Sequence, residues 1–213
     1  MQAQCYDSLG QLDHHVSNFS KSLSIIKSIT QKRYPVLCYI LNRVAEYSIA
    51  SSPERANALM DRSRIITLRF EKEDQDLTNC DLFQLQGNLS LRQHKLDESE
   101  KSFKDAIALR EIGFGYESPE LIESVTKLAA VYAEKKEDAA AQQTFERGLA
   151  TMEKAWQSGS IRDTKGVVDA NAACSQLIDA YATWLKKQDK SDQALELSEK
   201  WKPLLLKAKA KHH

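Results

Sequence analysis

The residues that could do chemistry by type and spacing are few, and the surroundings of each weaken the case. Cys5, His14 and His15 offer thiol and imidazole ligands, but adjacent histidines on a helix point about 100° apart and cannot share one metal without a third element. His15 falls on a helix-packing position, so a core or edge histidine is the simpler reading. Asp74, Asp76 and Asp81 in the run EKEDQDLTNCD present the oxygen ligands of a calcium loop. The run lacks the central glycine and closing glutamate that such a loop requires, and a solvated connection is expected there. Glu134, Glu137 and Asp138 lie beside Lys135 and Lys136, the pattern of a solvated turn and the acidic start of a helix. No phosphate-binding glycine loop, G-x-S-x-G elbow or H-E-x-x-H pair occurs. The residues therefore read as those of a non-enzyme with no cofactor and no metal.

With catalysis lacking a seat, the question becomes what elements the chain builds. Only 7 Gly and 4 Pro punctuate 213 residues, and the abundance of Ala, Leu, Lys, Glu and Gln favours long helices over strands. Thirty basic and 30 acidic side chains cancel, so no long-range field recruits nucleic acid or an anionic membrane surface. No stretch approaches the roughly 20 apolar residues of a membrane span. Cys5, Cys38, Cys80 and Cys174 are widely spaced with no C-x-x-C pair, which suits buried free thiols in a reducing, cytoplasmic setting. The C-terminal lysines Lys200, Lys202, Lys207, Lys209 and Lys211 suit a helix end and a solvated cap. Trp201 and Leu204 to Leu206 supply an apolar face beside them. Trp156 fits an interface anchor and a lid over a connection equally well.

An internal repeat organises the rest. Superimposing LFQLQGNLSLRQHKLDESEKSFKDAIAL (Leu82 to Leu109) on SVTKLAAVYAEKKEDAAAQQTFERGL (Ser124 to Leu149) aligns Gly87 with Ala129, Ser99 with Ala141, Phe103 with Phe145 and Ala106 with Gly148, each pair 42 apart. One step back lands on Ala45 and two steps on Ala3, while two steps back from Phe103 reach Phe19. A further unit, with Tyr181, Ala182, Leu185 and Ala194, arrives after 53 residues instead, the excess falling in the connection between Gln157 and Ala170. Small residues at these offsets let paired helices approach closely, and large apolar residues fill the groove toward the next unit. Such units cannot bury an apolar face alone and are stable only when stacked. Helical hairpins are expected at about 1–33, 36–71, 80–112, 119–157 and 168–209 in a single domain spanning 1–213. Pro35, Pro119 and the segment 157–166 are the breaks.

Leu128, Ala129, Tyr132, Ala141 and Phe145 resemble the signature positions of tetratricopeptide repeats. Leu41 to Ala45 (LNRVA) and Ala108 to Leu121 (ALREIGFGYESPEL) resemble the long, 42-residue repeats of kinesin light chains. The resemblance implies an all-α, right-handed solenoid of about five antiparallel hairpins. Gln86 and Arg43 depart from it, standing where apolar or amide residues are usual. It also implies a scaffold that holds a protein or extended peptide on its concave face, lined by the first helix of each hairpin. Candidate contacts are Asn42 on the second hairpin, Gln84, Asn88 and Arg92 on the third, Lys127 on the fourth, and Thr183 and Lys187 on the fifth. Tyr39, Glu46, Asp81, Glu123, Thr126, Glu134, Asp179 and Lys186 fall on the same faces. Asn88, Arg92 and Lys127 are expected to form one site that binds backbone amides and a carboxylate. The carboxylate clamp of chaperone-binding relatives is incomplete, since its first lysine is missing. A structural role is the alternative. Ala3 at its repeat position places Met1 inside the first helix, the mark of an abbreviated cap or of a piece from a longer array. Either way, self-association through the N-terminal edge is expected.

Overall fold

A computed structural model describes residues 34–68, 72–159 and 170–210. The first expected hairpin, with Cys5, His14, His15, Phe19 and the proposed N-terminal edge, lies outside them. Among the described residues every regular element is helical. The helices are α1 (Tyr34–Ser48), α2 (Pro53–Thr67), α3 (Lys72–Arg92) and α4 (Leu96–Phe114), then, after a 3-10 turn at Pro119–Leu121, α5 (Ile122–Glu134), α6 (Asp138–Ser158), α7 (Ala170–Lys187) and α8 (Ser191–Ala210). The chain divides into two compact units, Met1–Lys95 and Leu96–His213.

In the first unit α1 and α2 form a hairpin and α3 packs against both. Pro53 opens α2 at its first turn, where a missing N–H costs nothing and the fixed φ is already helical. Ala45 and Ala56 are fully buried beside Ile49, Met60, Leu82, Leu85 and Leu89, so small residues sit where two helix backbones approach. The Cys38 thiol meets the Ser63 carbonyl at 3.6 Å and Thr67 Oγ1 at 3.7 Å, and burial raises its pKa. It is a structural thiol, as are buried Cys80 and Cys174. Helix α3 corrects one expectation. It starts at Lys72, so the acidic run holding Asp74, Asp76 and Asp81 is helix and not a solvated connection. No glycine or proline interrupts it before Gly87, and acids at a helix start complement its dipole.

In the second unit α5 packs against α4, α6 and α7, and α7 against α8. Phe103, Ile122, Val125, Phe145, Met152, Leu177 and Ile178 are buried at its core. Each such side chain contributes roughly 1.5–3 kcal/mol on leaving water. A Cβ added to Gly148 would lie 3.0 and 3.2 Å from the Leu177 methyls and 3.4 Å from Val125, which explains a helix-interior glycine at a small-residue repeat position. Phe145 stacks on Tyr181 at 4.9 Å and 14° and meets Trp184 at 5.9 Å. Half-buried Trp156 packs edge-on against buried Trp201 at 6.5 Å, which makes it a core-closing residue.

The turns carry the repeat as clearly as the helices do. His94, Lys136 and Asp189 all have left-handed φ values of 57°, 60° and 58°, at the same intervals of 42 and 53 residues found in the sequence. The next N–H then reaches back to close each helix: Lys95 to the Ser90 carbonyl, Glu137 to Tyr132 and Lys190 to Leu185, each at 2.9 Å. These are Schellman closures with an ordinary residue where glycine is usual. The α1–α2 turn, a residue short in sequence, has a different hydrogen-bond pattern through Ser48.

Candidate functional site

The candidate contacts all lie on the first helices α1, α3, α5 and α7. The structure separates them by depth. Asn42 and Gln84 are only 4% and 5% exposed and do not present a contact surface, contrary to the sequence-based expectation. Thr126, at the same repeat position on α5, is equally buried and donates its hydroxyl to the Ile122 carbonyl at 2.7 Å. In the first unit α3 packs on α1, and in the second α7 packs on α5. Thus α1 has one side against α2 and another against α3, and α5 has one side against α6 and another against α7. Repeat position alone cannot tell that second side from the open one. Asp179, at this repeat position on α7, is exposed.

The candidates that reach solvent lie elsewhere along these helices. In the first unit Asn88 is half-buried and Arg92 exposed, four apart and hence on one face of α3. In the second unit Lys127 is half-buried on α5, while Thr183, Lys186 and Lys187 are exposed on α7. The Thr183 hydroxyl donates to the Asp179 carbonyl at 2.7 Å. Among the described residues no ion pair engages Arg92, Lys127, Lys186 or Lys187. Arg43, half-buried, pairs with Glu46 at 2.7 Å and lies 5.8 Å from the Tyr47 ring centre, which accommodates a cation at a position where the repeat pattern is usually uncharged.

The second helices behave differently, and sequence reasoning missed it. In the second unit three of their cations are paired between hairpins. Arg147 on α6 pairs with Glu111 on α4, and at the equivalent position Lys200 on α8 pairs with Glu153 on α6. Lys154 pairs with Glu117. Lys135, read from sequence as part of a solvated turn, instead ties α4 to the α5–α6 turn. Its ammonium lies 2.6 Å from Glu100, 2.9 Å from Asp97 and 3.2 Å from Glu137. Hydrogen bonds from Lys104 and Lys135 hold the Glu100 carboxyl below its usual range, and the Lys135 ammonium is held above its own, chiefly by Glu100. The Lys135–Glu100, Arg147–Glu111, Lys154–Glu117 and Lys200–Glu153 partners lie 35 or more residues apart in sequence and follow no local motif. Among the described residues no group of His, Cys, Asp and Glu could hold a metal, and no helix is long and apolar enough to cross a membrane.

Hairpins in this order, with small residues at the close approaches and left-handed turns at the repeat interval, define a tetratricopeptide-like helical repeat fold. Solved structures agree. BtubC (BKLC) from P. vanneervenii superposes with a TM-score of 0.65 at 15% identity, over 99% of this chain and 78% of that one. A putative kinesin light chain from P. anserina with nearly identical TPR-like repeats, in a singly substituted form, superposes with a TM-score of 0.59 at 17% identity, covering 99% and 92%. A second structure of that protein gives 0.53 at 15%, covering 100% and 93%. At these identities the likeness is one of fold. No family model and no curated protein sequence matches the chain.

Proposed function

We propose that the chain is a non-catalytic scaffold that holds a protein or extended peptide on the open faces of its first helices. The observation that carries this reading is the division of charge in the second unit. Arg147, Lys154 and Lys200 on the second helices are tied to acids of the preceding hairpin or its connection, whereas Lys127, Lys186 and Lys187 on the first helices are left without an ion-pair partner among the described residues. Packing alone gives no reason to keep them so. Unpaired cations beside the Thr183 hydroxyl on α7 suit a polypeptide that offers backbone groups and at least one carboxylate. In the first unit Asn88 and Arg92 offer the same chemistry, an amide able to pair with a peptide backbone and a guanidinium able to bind a carboxylate bidentately. The kinesin light chain-like structures that share the fold accord with a scaffold role.

The test is a charge reversal on one face against the other. Lys127→Glu with Lys187→Glu should abolish recovery of a partner while leaving the helical signal unchanged, and Lys101→Glu on α4 should not. Equal recovery by both variants would place the contact elsewhere.

A further inference from the structure

We propose that a hollow between α4 and α6, floored by α5, binds a small apolar carboxylate, with a ring or a medium-length chain behind a single carboxyl group. The hollow measures about 560 Å³, within the range of about 300–1,000 Å³ usual for ligand pockets. Three helices build it, each with residues four or seven apart and so on one stripe. Lys104 and Glu111 come from α4, Leu128 and Tyr132 from α5, and Gln143 and Arg147 from α6. Leu128 and Tyr132 are buried and make an apolar floor. Side chains stand at both ends. Arg147 reaches across from α6 to Glu111 on α4, while the Lys104 ammonium lies 5.7 Å from the centre of the Tyr132 ring and 2.6 Å from Glu100. Seven residues of helix separate Lys104 from Glu111, about 10.5 Å. An extended peptide running through would have to displace these end groups, whereas a molecule of that length lies between them.

The sign of the ligand follows from depth. The Glu100 and Glu111 side chains are 18% and 17% exposed, against 54% and 43% for Lys104 and Arg147, so the carboxylates lie beneath and the cations face the opening. Lys104 is already engaged by Glu100 and the Tyr132 ring. Arg147 spends only Nη2 on Glu111, and a guanidinium has five N–H donors in a fork that suits a second carboxylate. Gln143, one turn back on the same stripe, is exposed and has no hydrogen-bond partner among the described residues. Its amide can donate to the same anion. Packing alone does not call for this seat. The ion pair recurs one hairpin on as Lys200–Glu153, but there Glu146 and Glu196 stand where Lys104 and Gln143 stand here. The added acids at those positions would repel the ligand that this hollow attracts.

The test uses the whole chain and the fluorescent anion anilinonaphthalenesulfonate, whose sulfonate stands in for the carboxylate. Titration should show one saturable site, and the uncharged analogue phenylnaphthylamine should bind at least about tenfold more weakly, the factor that one charged hydrogen bond supplies. Octanoate should displace the probe and acetate should not. Arg147→Gln and Gln143→Glu should each weaken binding about tenfold at an unchanged helical signal. Lys154→Gln, an equal change of net charge outside the hollow, should leave it unaltered. Absence of a saturable site would overturn the proposal. So would equal binding of the uncharged analogue, failure of octanoate to displace the probe, wild-type binding by the Arg147→Gln and Gln143→Glu variants, or a Lys154→Gln variant weakened as much as they are.

Discussion

Phe145→Ala tests the packing that joins the hairpins of the second unit. The ring is 1% exposed, stacked on Tyr181 and in contact with Trp184, so it fills space between α6 and α7. Truncating a buried phenylalanine removes its transfer free energy and leaves a cavity, together about 3–5 kcal/mol. Loss of the aromatic pairs adds about 0.5–1.5 kcal/mol. Against a domain stability of about 5–15 kcal/mol, the expected loss is about 4 kcal/mol, a fall of roughly 15 °C in melting temperature at this size. Trp156, Trp184 and Trp201 all lie in the second unit, so urea unfolding followed by tryptophan fluorescence reads that unit directly. Phe145→Leu, which keeps most of the volume, should cost less than half as much. A shift below about 1 kcal/mol for Phe145→Ala would refute the assignment of this ring as the knob between hairpins.

Other consequences follow from the same geometry. Gly148→Ala sets overpacking against Leu177 and Val125, typically about 1–3 kcal/mol, against about 1 kcal/mol of helix propensity gained, so a net loss of about 1 kcal/mol is expected by urea denaturation. A gain would show that Leu177 yields freely. Lys136→Gly should raise stability by up to about 1 kcal/mol, because the left-handed turn strains any other residue by about 1–2 kcal/mol and glycine returns part of that as chain entropy. A lower denaturation midpoint would contradict this account of the turns. Glu100 has a lowered folded pKa, so its contribution is fully present above the unfolded carboxylate value of about 4.5 and disappears as pH falls through the folded one. Melting curves from about pH 7 to about pH 3 should therefore show wild type and Glu100→Gln far apart at neutrality and converging in acid. A constant gap between them would remove Glu100 from the acid response.

Much of the fold was legible because the repeat is carried by residues whose size the packing dictates. Ala45, Ala129, Ala141 and Gly148 had to be small, and Phe103 and Phe145 large, wherever in the array they fall. The start of α3 was misjudged because the polar run from Glu71 was read by composition, though it contains no helix breaker. The face of a first helix was harder. Asn42, Gln84 and Thr126 were placed on the contact face by the resemblance, which assigns the concave surface to the first helices. First helices pack on one another, α3 on α1 and α7 on α5, and single-helix periodicity does not contain that packing. The pairs Arg147–Glu111 and Lys200–Glu153 were illegible for a related reason: each joins side chains from different hairpins that only the stacked register brings together.

The most direct measurement of the central proposal is site-specific photo-crosslinking in extracts of the source cells. A photoreactive side chain would be placed in turn at Asn88 and Thr183 on first helices, and at exposed Lys101 and Glu146 on second helices. The account requires discrete protein adducts from the Asn88 and Thr183 positions, lost when Lys127→Glu and Lys187→Glu are added to the Thr183 probe. Adducts confined to Lys101 or Glu146, with none from the first helices, would contradict it.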